Sequence, residues 1–230
     1  EQNIITSFIE KPKTNLEDWT SDTGPEMHAE GKDFLASMGI YIFNKDLLIK
    51  IFSENEDEKD FGKEIIPRML KEHDVLSYQY EGYWTDIGNI SSFFEANLGL
   101  TDDIPKFNLF DSHHSIFTRA RMLPPSKILG TKLERTVIAE GCILEAENIK
   151  HAVIGIRSRI GRGTQIESCY IMGSDKYQTL IEIEQEKGKK PLIGIGDNCK
   201  IVNAIIDKNS RIGDNVEIIG GNHLPDGDHE

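Results

Sequence analysis

The chain has 230 residues, a formal net charge of −13 and three cysteines. That charge argues against a nucleic-acid partner, whose binding rests on neutralising phosphates, and no run approaches the roughly 18 apolar residues of a membrane span. Cys142, Cys169 and Cys199 are odd in number and lack metal-ligand spacing, so they read as reduced thiols of a cytoplasmic protein.

The first part, residues 1–106, alternates element types. Ile4–Phe8, Met38–Phe43 and Val75–Tyr80 are rich in β-formers and read as strands. Asp46–Ser53 and Lys63–Lys71 have helical spacing, with Asp46 as the expected N-cap of the first. A third helix is expected over Ser91–Leu100, after the turn Asp86-Ile87-Gly88-Asn89. Strands alternating with helices predict an α/β layer architecture. A glycine-rich phosphate loop is not found in it. The chain has no initiator methionine and opens on a strand-like run, as a piece of a longer protein would.

Residues 107–126 read as a connector ending in Arg119-Ala120-Arg121-Met122-Leu123-Pro124-Pro125, where the double proline favours extended backbone. From 127 to 230 the rhythm changes. Isoleucines fall at 143, 149, 154, 160 and 166, and again at 195, 201, 206, 212 and 218, with the same steps of six, five, six and six. Neither a helix nor simple alternation gives that spacing; a left-handed parallel β-helix of hexapeptide repeats does. The tetrads Ile160-Gly161-Arg162-Gly163, Ile195-Gly196-Asp197-Asn198 and Ile212-Gly213-Asp214-Asn215 place Gly, Asn or Asp at the corners, where positive φ is often needed. Residues 174–190 interrupt the repeat with the charge density of an excursion loop or short helix. The end, Gly220 onward, lacks an apolar cap, so a further C-terminal segment is expected.

The chemistry-bearing residues lie mainly in three stretches. Ile9-Glu10-Lys11-Pro12 offers a mobile cation suited to a phosphate monoester beside a carboxylate that can accept from sugar hydroxyls. Leu35-Ala36-Ser37-Met38-Gly39-Ile40-Tyr41-Ile42-Phe43 adds a hydroxyl, and Tyr83-Trp84-Thr85-Asp86-Ile87-Gly88 adds a carboxylate in a glycine turn. In this order, with the tail from Ile193 to Gly213, they resemble the glucose-1-phosphate adenylyltransferase (ADP-glucose pyrophosphorylase) family, in a plant- or cyanobacterial-like bacterial form. The resemblance implies the reaction of ATP with glucose 1-phosphate to ADP-glucose and pyrophosphate, in glycogen- or starch-type glucan synthesis. It also implies that residues 1–106 are part of a Rossmann-like nucleotidyltransferase domain, in a cytoplasmic, allosterically regulated homotetramer using Mg2+. Carried over, Glu10 and Ser37 bind the sugar, Lys11 the phosphate, and Asp86 the metal. Arg119, Arg121 and Lys208 bind phosphorylated effectors, and Asp60–Pro67 positions a helix beside the pocket. The nucleotide loop and a second metal carboxylate are not found in this sequence, so the isolated chain is expected to be inactive.

Other readings compete. A different sugar-1-phosphate nucleotidyltransferase, such as a GDP-mannose-forming one, shares Glu10-Lys11-Pro12 and a β-helix tail. A hexapeptide acyltransferase needs a catalytic histidine at a coil interface, for which His151 is the candidate inside the repeats. A non-catalytic regulatory subunit would be expected to have lost Lys11 or Asp86, and both stand in the sequence.

Overall fold

The computed structural model describes residues 3–12 and 16–221, which fall into two compact units divided between residues 82 and 83. Each is built from its own core.

In the first unit the helices form close to where the sequence puts them. Helix α1 spans Pro25–Ala29, and α2 spans Lys45–Glu54. The cap of α2 is Asn44, not Asp46: its extended backbone lets Oδ1 accept from the amides of Asp46 at 3.0 Å and Leu47 at 3.3 Å. Asp46 falls inside the first turn, where its charge still complements the helix dipole. The next helix begins as a π-helical turn, Phe61–Ile65, and continues as α3, Ile66–Glu72. Asp60 caps it, accepting from Gly62 and Lys63 amides at 2.9 Å each. Ile51, Ile65 and Met69 are buried between these helices, with Phe43, Leu47, Phe61 and Val75 packed around them.

The three β-rich runs of this unit do not become strands. Among the described residues their backbone pairing is one isolated antiparallel bridge, Ile4 with Leu76, flanked by bonds from Ile5 N–H to Val75 and Ser77 N–H to Asn3. Met38–Phe43 has no strand partner there, and Ile40 and Ile42 are 74% and 99% exposed. β-propensity reports a fit to a paired, half-buried surface, so without a neighbouring strand it fixes nothing.

The second unit is a β-solenoid of about five turns carrying one helix on its flank. Helix α4, Ile90–Leu98, is capped by Asn89 and runs into a 3-10 turn, Gly99–Thr101. It packs on the solenoid with Phe93 against Tyr170, ring centroids 5.4 Å apart. The strands are β1 Lys127–Ile128, β2 Lys132–Ile138, β3 Ile143–Leu144, β4 Asn148–Ile154 and β5 Arg159–Ile160. They continue as β6 Gln165–Ile171, β7 Gly194–Ile195, β8 Lys200–Ile206, β9 Arg211–Ile212 and β10 Glu217–Ile219. Odd-numbered strands form one parallel sheet and even-numbered strands another.

Register explains the isoleucine spacing. Three inward columns stack coil on coil: Ile128, Leu144, Ile160, Ile195 and Ile212; Leu133, Ile149, Ile166, Ile201 and Ile218; and Ile138, Ile154, Ile171 and Ile206. One correction follows, since Leu144, wholly buried, takes the inward place that the spacing assigned to Ile143. Each seven-residue strand bends at its fourth residue, the left-handed Arg135, His151, Ser168 and Asn203, with φ of 46° to 51°. In the glycine tetrads it is the fourth residue that is left-handed: Gly163, Asn198 and Asn215. Gly161 serves a different need, because a β-carbon there would stand 2.5 Å from the Gly196 backbone of the next coil. The excursion holds helix α5, Leu180–Glu186, closed by a capping box between Thr179 and Glu182.

Candidate functional site

The candidate residues divide between the two units. In the first, Lys11 is held in the left-handed region at φ 49°, directly before Pro12. A proline disfavours helical backbone before it, and a bulky side chain at positive φ costs on the order of 1–2 kcal/mol, strain that tends to sit at functional positions. The turn throws the Lys11 side chain into solvent, 86% exposed, with Nζ 3.8 Å from Glu10 Oε1. Glu10 turns inward instead and lies across Gly62, its side chain 26% exposed. Asp60–Pro67 therefore supplies the surface on which Glu10 rests.

Ser37 sits in an exposed turn rather than in a strand. Its Oγ accepts from Gly39 N–H at 3.2 Å and lies 3.2 Å from the Tyr41 hydroxyl, so serine and tyrosine present a pair of hydroxyls to solvent. Gly39 makes the turn possible with φ 70°.

In the second unit Asp86 is exposed, and its Oδ1 accepts from Gly88 N–H at 2.9 Å. The helix cap is Asn89, so Asp86 is not used to start α4. Among the described residues Oδ2 has no hydrogen-bond partner. A hard, unprotected carboxylate oxygen fits one ligand position of a magnesium ion whose other ligands are waters and phosphates. Among the described residues no three Asp, Glu, His or Cys side chains converge on one point.

The basic candidates converge. Arg119 and Arg121 line a cleft of about 360 Å3 with Ala120, Arg157 and Asp175. Lys208 reaches its rim, with Nζ 3.4 Å from Asp175 Oδ1. Asn209 clamps the same carboxylate, donating to Oδ2 at 2.8 Å and accepting from the Asp175 amide at 3.0 Å. The Asn209 amide, then Lys208, and more distantly Arg157, hold the Asp175 carboxyl below the ordinary carboxylate range. Arg157 lies over the Tyr177 ring at 5.7 Å and donates to the Ser174 carbonyl at 3.3 Å. Three arginines thus share one cleft with the Asp175 carboxylate, and Lys208 pairs with that carboxylate, a composition suited to an anion with several oxygens, which arginine forks bind in bidentate fashion.

Arg157, Asp175 and Asn209 were not singled out from the sequence. A signal existed: Arg157 and Asn209 each stand three residues after a member of one inward column, Ile154 and Ile206, which both pair with Ile171, and both are left-handed corners. His151, the acyltransferase candidate, is a corner residue whose Nδ1 lies 3.2 Å from Ser168 Oγ of the next coil.

Residues 1–103 match the Nucleotidyl transferase family, and residues 121–230 match the GLGC left-handed parallel beta-helix domain. The chain joins a nucleotidyl transferase domain to a GLGC β-helix. Glu10, Lys11, Ser37 and Asp86 all lie within the nucleotidyl transferase match. Arg121, Arg157, Asp175 and Lys208 lie within the GLGC match, and Arg119 stands in the segment between the two. Among the described residues no helix is long and apolar enough to cross a membrane.

Proposed function

We propose that this nucleotidyltransferase acts on ATP and glucose 1-phosphate, forming ADP-glucose and pyrophosphate. The observation that carries the reading is the GLGC β-helix match over 121–230, on the same chain as a nucleotidyl transferase match over 1–103 with Glu10-Lys11-Pro12, Ser37 and Asp86 in order. A phosphate oxygen of glucose 1-phosphate attacks the α-phosphorus of ATP. The bond from that phosphorus to the bridging oxygen breaks, and pyrophosphate leaves with the electron pair. Such a reaction needs little from the protein beyond alignment and charge neutralisation.

Lys11, long and free in solvent, takes the sugar phosphate as a mobile point charge and lowers the repulsion between the two phosphate groups. Glu10 accepts from glucose hydroxyls, and Ser37 with Tyr41 completes the polar surface for the ring. Asp86 would hold Mg2+, which supplies charge neutralisation on the triphosphate when bound. The cleft of Arg119, Arg121, Arg157 and Lys208 takes a phosphorylated effector, distinct from the sugar site in its residues and in the unit that carries them.

Pyrophosphate release by the intact protein, measured with ATP, GTP, CTP and UTP against glucose 1-phosphate and mannose 1-phosphate, tests the reading. A preference for ATP with glucose 1-phosphate is expected; a preference for GTP with mannose 1-phosphate overturns it. Neutralising Lys208 should weaken the response to phosphorylated sugars or inorganic phosphate while unactivated turnover stays within about twofold. An unaltered response removes the effector assignment.

A further inference from the structure

Gly62, the second residue of the helix that opens at Phe61, is buried under the side chain of Glu10. Glu10 Cδ stands 2.8 Å, and Cγ 3.3 Å, from where a β-carbon on residue 62 would be. Real β-carbons do not tolerate such an approach, so any side chain at 62 must displace the carboxyl group.

The backbone gives no reason for glycine here. Gly62 lies outside the left-handed region, and inside a helix glycine is less favourable than alanine. The obstructing atoms belong to the far end of a flexible side chain, which an alanine would push aside without disturbing the core. Nor is Glu10 seated by capping, since the Gly62 and Lys63 amides go to Asp60 and the Lys59 and Asp60 amides to Glu64. Among the described residues its polar neighbour is Lys11, at 3.8 Å. The fold can do without the glycine, whereas the place of the Glu10 carboxylate cannot.

We propose that Gly62 is a positioning residue: its missing β-carbon sets the carboxylate of Glu10 at the height needed to receive glucose hydroxyls, beside the exposed Lys11 ammonium. The inference rests on the reading of Glu10 as a sugar ligand, and its test separates the two.

In the intact protein, Gly62→Ala, Glu10→Ala and the double variant are compared by initial rates with ATP and glucose 1-phosphate. Gly62→Ala should raise KM for glucose 1-phosphate on the order of tenfold, as a misplaced contact does. KM for ATP should stay put and the melting temperature should hold or rise. In the Glu10→Ala background the same substitution should leave KM for glucose 1-phosphate unmoved. An unchanged KM in Gly62→Ala, or an equal rise in both backgrounds, overturns the positioning role. Glu10→Ala alone decides the sugar-ligand reading: if it leaves KM unmoved, that reading falls, and a rise in Gly62→Ala then cannot run through Glu10. Should Gly62→Ala fail to fold, the glycine is a requirement of the fold and the proposal is overturned, whether or not the double variant folds.

Discussion

Replacing Lys11 with alanine separates binding from stability. The side chain is 86% exposed, and its polar neighbour is the Glu10 carboxylate at 3.8 Å, a solvated pair of the kind worth about 0–1 kcal/mol. Alanine keeps the β-carbon, so the left-handed strain at φ 49° is the same before and after the change. The urea midpoint should therefore move little. Binding should respond far more, because a charge-assisted contact to a phosphate contributes roughly 1.5–3 kcal/mol. At about 1.4 kcal/mol per decade, KM for glucose 1-phosphate should rise on the order of tenfold to a hundredfold. The contact is solvent-accessible, so raising ionic strength should narrow the gap between wild type and variant. Initial-rate measurements of pyrophosphate release, varying each substrate in turn, read the effect. An unchanged KM for glucose 1-phosphate, or an equal rise in KM for ATP, refutes the assignment and leaves Lys11 a surface lysine.

Thr164 is fully buried, donates to the Gly196 carbonyl at 2.8 Å and accepts from the Cys199 amide at 3.0 Å, so Thr164→Val strands both groups. A loss of about 2–4 kcal/mol in urea unfolding is expected, and a neutral result would show that the coils do not depend on this bond. Lys176, and then the Thr179 amide, hold the Glu182 carboxyl down at about 2, against an ordinary value of 4.5. Because the folded pKa is the lower one, the support Glu182 gives α5 is present above pH 4.5 and is lost as pH falls towards about 2. NMR shifts of the α5 amides should show a transition in that window that Glu182→Gln lacks; parallel behaviour of the two proteins would refute the link. Burial pushes the Cys169 thiol up to about 11 and raises that of Cys142. Neither should react with a disulfide reagent in the native protein near pH 8, and both should react once it is unfolded; native labelling would contradict their burial.

The solenoid was legible because its inward columns repeat locally, and each isoleucine reports its coil directly. Even so, the sequence could not choose between Ile143 and Leu144, since that choice is made by stacking against Ile128 and Ile160. The left-handed corners at Gly163, Asn198 and Asn215 could be anticipated from residue type. Those at Arg135, His151 and Ser168 could not, because coil geometry imposes positive φ on residues that would avoid it alone. In the first unit the helices declared themselves through spacing and caps. The β-rich runs misled, as their propensity needs a partner strand to be expressed. The candidate site divides in the same way. Lys11 and Asp86 were visible as residues, but the turn that exposes Lys11 was not. The cleft depends on Arg157 and Asp175, which come together only once coils stack and the excursion folds back.

The excursion also sets an order of assembly. Leu144 finds Ile160 across a single coil, whereas Ile160 must find Ile195 across the whole inserted segment. Each doubling of a closed loop adds about 0.6 kcal/mol of entropic cost, so closing β5 onto β7 is the slowest zipping step expected in the solenoid. The excursion carries its own remedy: Tyr177 donates to the Gly141 carbonyl, and Arg211 bonds Glu186 and the Pro191 carbonyl, drawing the long loop back on itself. A chain emerging from the ribosome is thus expected to pause with β1–β6 already zipped, presenting an open edge until β7 arrives. The insertion that supplies Asp175 to the anion cleft is also the seam at which a growing solenoid waits.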